Sequence, residues 1–304
     1  MKPVFWKTTL CICLLAAPFG SWATTPVAIA TIVDGEAVVI RDAARLQLAE
    51  GVRLVKDDIV ETTAKGRLVR VEFNDGVIFD LGPETRTLLS PKLSGDKGRA
   101  QSLVHVLNGI VKVTVPKGHP PAESVISSPA YDVTGMVRSA VFLVQPTGAY
   151  AFAESGELVL QERQLERNGS RPGSIFSLKS GEFFAHPDGA KAGISGRPTA
   201  AFIQRLPRPF TDALPSRAAL FKDRAGEPKR LGDIAYADVS DWLDADGLRA
   251  GFVLRFKAQA QDAEFRKGLI AGLRAHPEWD RTLYPEKYLP KPAASAASHY
   301  GATP

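Results

Sequence analysis

Cysteine is nearly absent from this chain of 304 residues: Cys11 and Cys13 are its only thiols, and both fall within the first thirteen positions. Beyond them no disulfide, no Cys metal ligand and no thiol nucleophile can form, so the rest of the chain must be held by packing. Histidine is sparse as well. The five residues, His105, His119, His186, His276 and His299, fall into no HExxH, HxH or similar ligand spacing. There is no Gly-x-Ser-x-Gly elbow, no phosphate-binding loop and no Gly-x-Gly-x-x-Gly after a strand. With neither nucleophile, metal cluster nor cofactor motif, the chain reads as a non-enzyme with no catalytic residues, no cofactor and no metal. No apolar run reaches the roughly 18 residues of a membrane span, so nothing downstream of the N-terminus is expected to cross a bilayer. Charge of one sign is lacking too. Lys and Arg total 38 against 33 acids, a formal +5 too mild to imply nucleic acid.

What is present suits a folded protein. Hydrophobic residues make up 44% and charged residues 23%, enough apolar material for a sizeable core in one large or two ordinary domains. Residues 1–23 read as a secretory signal peptide. Lys2 and Lys7 form its positive start, Thr8 to Phe19 a short apolar stretch, and Ser21-Trp22-Ala23 a small-x-small site that places cleavage near Ala23. The expected location is periplasmic or secreted, and the expected mature chain has 36 basic and 33 acidic residues, or +3. The apolar stretch runs past both cysteines, which argues against lipid attachment there.

From 26 to 187 the pattern is of short β runs broken by turn residues. The strands expected are Ala28–Val33, Glu36–Arg41, Asp58–Thr62, Arg67–Asn74, Val77–Leu81, Thr87–Leu89, Gln101–Leu107 and Ile110–Val115. Glu123–Ser127, Ala140–Gln145, Gly148–Ala153, Glu157–Glu162 and Ser174–Leu178 follow. In the first of the long runs Val69, Val71 and Phe73 share one face and Arg70, Glu72 and Asn74 the other. Asn74-Asp75-Gly76 supplies residues tolerant of positive φ at a hairpin turn, and the same device is read at Asp34-Gly35, Ala64-Lys65-Gly66, Asn108-Gly109 and Ser155-Gly156. The spacing points to a repeated β unit, closing as a roll, a solenoid or a sandwich.

The motifs in this half resemble the FecR domain of bacterial envelope proteins. Val33 and Gly35 match its Val-x-Gly opening, Asp57, Ile59 and Thr62 its second element, and Phe73, Asp75, Gly76, Leu81, Gly82 and Pro83 its Phe-x-Asp-Gly and Leu-Gly-Pro. Ala37 and Lys56 depart from it, as do Ser139 and Ala140 in place of the usual Gly-Thr. LNGIVKVTV, SSPAYDVTGMVRSAVFLV and ESGELVLQ resemble its later strands. The resemblance implies a β domain outside the cytoplasm that binds an envelope protein; the family's signalling members sense an outer-membrane transporter.

Residues 188–210 read as a linker with a short helix at Thr199–Arg205 and with Arg197, Arg205 and Arg208 interspersed. Residues 211–289 turn helical. Thr211 or Asp212 caps a segment to Phe221, and helices are expected within Asp233–Leu243, Asp246–Lys257 and Ala260–His276, their apolar stripes being core. The arm after His276 is rich in aromatic residues, and Trp279, Tyr284 and Tyr288 are its candidate partner-binding residues, as a seal or as a peptide or glycan platform. The acid clusters Lys56-Asp57-Asp58 and Asp238 to Asp246 fit turns and helix caps better than a calcium loop, which needs a Glu at fixed distance after Gly247. Residues 290–304 are small and polar, and are expected to be a disordered tail. The fold class expected is α+β, a β domain followed by a small helical region. The function expected is non-catalytic binding or scaffolding in the envelope, with an envelope protein as partner. Alternatives are signalling on a partner's state and binding of cell-wall glycan, for which peptidoglycan is the partner.

Overall fold

The computed structural model describes residues 25–91, 101–123, 125–166, 169–212 and 214–289. The segments read as signal peptide and tail lie outside them. The first strands are β1 (Pro26–Asp34), β2 (Ala37–Arg41), β3 (Ala44–Gln47), β4 (Arg53–Val55), β5 (Ile59–Thr62) and β6 (Leu68–Phe73). Next come β7 (Ile78–Leu81), β8 (Arg86–Leu89), β9 (Val104–Thr114), β10 (Ile126–Ser127), β11 (Tyr131–Met136) and β12 (Ser139–Gln145). β13 (Gly148–Ser155), β14 (Leu158–Glu166), β15 (Gly169–Leu178), β16 (Phe183–Pro187) and β17 (Gly193–Ser195) complete the N-terminal part. Then follow α1 (Ala200–Arg205), β18 (Lys229–Asp233), α2 (Tyr236–Asp244), α3 (Arg249–Arg255), α4 (Ala263–Ala271) and α5 (Asp280–Leu283). The class is α+β, as the sequence suggests.

The strands form two mostly antiparallel layers joined through β9. One runs β4-β1-β6-β7-β9-β12-β13-β16-β17. The other runs β18-β3-β2-β5-β8-β9-β10-β11-β14-β15, with β10 parallel to β9. Residues 104–108 of β9 pair in the second layer and 109–114 in the first. Asn108-Gly109 is therefore not the expected hairpin turn but a bend inside one continuous strand. Gly109 takes φ +112°, and a Cβ there would lie 2.4 Å from Thr85 Cα and Oγ1, so only glycine fits.

Three more of the expected hairpin turns join strands that do not pair. Asp34-Gly35, Ala64-Lys65-Gly66 and Ser155-Gly156 each carry the chain from one layer to the other. Positive-φ residues serve such an arch as well as a hairpin, which is why the turns were legible and their pairing was not. Asn74-Asp75-Gly76 does close a hairpin: Asp75 Oδ1 accepts from Val77 N at 3.0 Å, and β6 pairs with β7.

The core lies between the layers and takes one residue in two from each strand: Val69, Val71 and Phe73 from β6, Phe79 and Leu81 from β7, Phe142 and Val144 from β12. The outer faces are covered as well. Ile40, Ile59 and Leu88 of the second layer pack under Trp242, Phe252, Phe256 and Trp279 of the helical region. Leu68, Ile110, Val141, Leu143 and Phe183 of the first layer pack under Phe202 of α1 and Phe210. The stretch read as a linker thus carries β17 and α1 and lays two buried phenylalanines on the sheet. No α-helix spans 211–221 among the described residues; two 3-10 segments, Arg208–Thr211 and Ala218–Phe221, stand there instead.

Candidate partner-binding surface

The polar face of β6 is not solvated. Arg70 and Asp80, each nearly fully buried, form a two-bonded pair at 2.7 and 2.8 Å, and Arg70 Nη1 also donates to the carbonyls of Leu214 and Pro215 at 3.0 and 3.1 Å. Glu72 accepts from Thr31 Oγ1 at 2.6 Å, Arg217 N at 2.8 Å, Ala218 N at 3.2 Å and the Ser216 hydroxyl. Burial alone raises its pKa, but the Ser216 and Thr31 hydroxyls and the two N–H groups outweigh burial and hold it below the ordinary carboxylate range. Two alternate residues of one strand thereby fasten residues 214–218 to the first layer.

The histidines serve separate structural ends. His105 is buried against Trp242, with Nδ1 3.0 Å from Ser127 Oγ, and burial followed by the charge of Arg163 pushes its pKa down to about 3. His276 is wholly buried and bridges Asp244 Oδ1 at 2.7 Å and the Leu269 carbonyl at 3.2 Å. His119 contacts the Pro120 carbonyl, and His299 lies outside the described residues. Among the described residues no three His, Cys, Asp or Glu side chains gather as a metal site.

The acid clusters are taken up in the same way. Asp58 holds Arg41 at 2.6 and 2.8 Å and caps Val55 N at 2.9 Å. Asp57, at φ +66°, offers its carbonyl to Arg255 at 2.6 Å. Asp238 caps Ala235 N, Asp241 pairs with Arg86, Asp244 with His276 and Asp246 with Arg249. Four carboxylates thus face four different partners.

The three aromatic candidates do not form one platform. Trp279 is 0% exposed within the helical core, so in this arrangement its ring meets no peptide or sugar. Tyr284 is partly buried with Lys287 Nζ 4.0 Å from its ring centre, and Tyr288 is half exposed with its hydroxyl donating to Asp280 at 2.7 Å.

What remains open is an edge. Of the four terminal strands, β4 and β17 have three residues each and β18 has five, whereas β15 has ten and pairs only with β14 among the described residues. Pro172 offers no N–H, and Gly173 and Ser174 lie in a bulge outside the ladder with the Ser174 N–H given to Glu162 Oε2 at 3.1 Å, so the regular free edge is residues 175–178. Phe176 points inward, 5.0 Å from the ring of Phe184, and Ile175 stands outward, 66% exposed and beyond the helical cover. Reading of the sequence finds this strand but not that it is terminal, because strand order depends on pairings far apart in the chain.

Beside it the layers part at a cleft of about 660 Å³ between the β12–β13 turn, the start of β11, the middle of β14 and the end of β16. Gly148 shapes its rim: at φ +144°, a Cβ would lie 2.8 Å from the His186 carbonyl.

No family model matches the chain, and no curated protein matches it. Among the described residues no helix is long and apolar enough to cross a membrane. Two crystal structures of a candidate anti-sigma factor from Parabacteroides distasonis are distantly similar in fold, with TM-scores of 0.35 and 0.34 and 12% identity. Each likeness covers 46% of this chain and 59% of the other, so this chain spans under two thirds of the length of those proteins.

Proposed function

We propose that the chain is a non-catalytic binding or scaffold protein of the cell envelope, with a FecR-like β domain whose partner adds a strand to the free edge of β15. The carrying observation is that edge: residues 175–178 of β15, in regular register with β14 on one side only, with Ile175 exposed at 66%. Unpaired N–H and C=O groups on an edge strand supply main-chain hydrogen bonds to an extended segment, and alternate side chains supply the choice among segments. The envelope location rests on the reading of residues 1–23.

The proposal is tested by photo-crosslinking in intact source cells, with the crosslinker at Ile175 or Ser177 and, as control, at Leu254, which is 81% exposed on the helical layer. The expected result is one discrete protein adduct from the edge positions, lost when Ile175→Pro removes an edge N–H and bends the strand. Adducts equal at Leu254, or adducts only to glycan, would contradict it.

A further inference from the structure

The cleft beside β14 belongs to no element of the strand-addition surface, yet it is lined in a way that specifies a ligand. Leu107, Val144 and Ala149 give it an apolar floor, and about 660 Å³ accommodates one large side chain with its neighbours. Its charged groups do not cancel. Arg163 is paired with Asp132 at 2.7 Å and Asp241 with Arg86, which leaves Glu162 and Asp188 as the excess on the rim. Glu162 has only its side contacts, Ser174 N at 3.1 Å, Gln164 Nε2 at 3.4 Å and His186 Nε2 at 3.8 Å. His186 lines the same cleft, and its Nδ1 is buried with no hydrogen-bond partner among the described residues.

We propose that this cleft receives a short segment of a partner protein that presents an apolar side chain next to a lysine or arginine. The floor takes the apolar group, and Glu162 and Asp188 take the cation. The inference deepens the binding role proposed above and rests on it.

The test is NMR titration of the purified protein with three capped peptides, Ac-Gly-Leu-Lys-Gly-NH2, Ac-Gly-Leu-Glu-Gly-NH2 and Ac-Gly-Ser-Lys-Gly-NH2. The expected result is amide shifts confined to the neighbourhood of Val144, Ala149 and His186, with the Leu-Lys peptide about tenfold tighter than either other. Glu162→Gln with Asp188→Asn should remove the preference for lysine over glutamate while keeping the fold. Should the pair of changes impair folding, Asp188→Asn alone, in an exposed turn, should reduce the preference about threefold. Equal binding of the three peptides, a lysine preference unchanged in the variants, shifts centred elsewhere, or no binding would overturn the inference. Each of those results leaves the crosslinking at Ile175 unaffected, so failure here and failure of strand addition are distinguishable.

Discussion

At the scale of single residues, the buried ionisable groups set how the protein responds to acid. His105 has a folded pKa of about 3 against about 6.5 when unfolded, so between those values the unfolded chain binds the proton and the folded chain does not. Its contribution is intact above pH 6.5 and falls as pH drops, by up to about 1.4 kcal/mol per pH unit. A His105→Gln variant should therefore lose stability less steeply than the wild type between pH 6.5 and 5, a window above most carboxylate titration. Urea denaturation across that range checks it, and parallel curves would contradict it. Glu72 acts at lower pH. Its depressed pKa means the clip it forms is weakened as pH falls below about 4.5. Glu72→Ala leaves two hydroxyls and two N–H groups without their acceptor and should cost about 3 kcal/mol at neutral pH. Trypsin should then cut after Arg217, a site that stays intact in the parent protein if the clip holds residues 214–218 down.

At the scale of elements, the sequence shows which residues share a strand face more clearly than what lies on that face. Arg70 and Glu72 alternate with Val69, Val71 and Phe73 as solvent-facing residues would, yet both are under 4% exposed because residues 214–218 cross above them. Nothing local to β6 announces a covering segment some 140 positions on. The helices were more legible, since each carries its own apolar period: α3 and α4 fall within the stretches expected from it, and α2 runs one residue past its stretch. β3, β4, β11, β16, β17 and β18 are not among the expected strands, and length alone does not separate them from β5, β7 and β8, which have four residues each and are. The helical layer is joined to the sheet through Trp242, whose Nε1 donates to Glu61 Oε1 at 2.8 Å. Burial raises the Glu61 pKa, with that bond and Arg86 opposing it. Trp242→Phe removes a donor to the carboxylate, so its electrostatic cost should be greatest near pH 7 and shrink toward pH 4, where Glu61 takes up a proton. About 1–3 kcal/mol of pH-dependent loss is expected from urea curves at the two pH values, in addition to a pH-independent packing loss. Phe202→Ala should cost about 3–5 kcal/mol through the cavity left over Phe183 and Phe152.

At the scale of the whole molecule, both outer faces of the two-layered β structure are covered by the chain's own later segments, and its bonding capacity is left at one end. The helical region and the segment around α1 bury the faces that would otherwise offer apolar surface, so a strand edge and a cleft are left open rather than a sheet face. In the aromatic arm, which the sequence offers as a seal or as a platform, Trp279 is interior and Tyr288 is tied to Asp280. The proposed completion of β15 by a partner is read by amide hydrogen exchange of residues 175–178 in the protein alone and in the complex trapped at Ile175. Strand addition predicts that the outward N–H groups of this stretch slow by at least about tenfold in the complex, with 229–233 of β18 unchanged. Unchanged exchange at 175–178 in a complex that nevertheless forms would place the partner elsewhere and contradict strand addition.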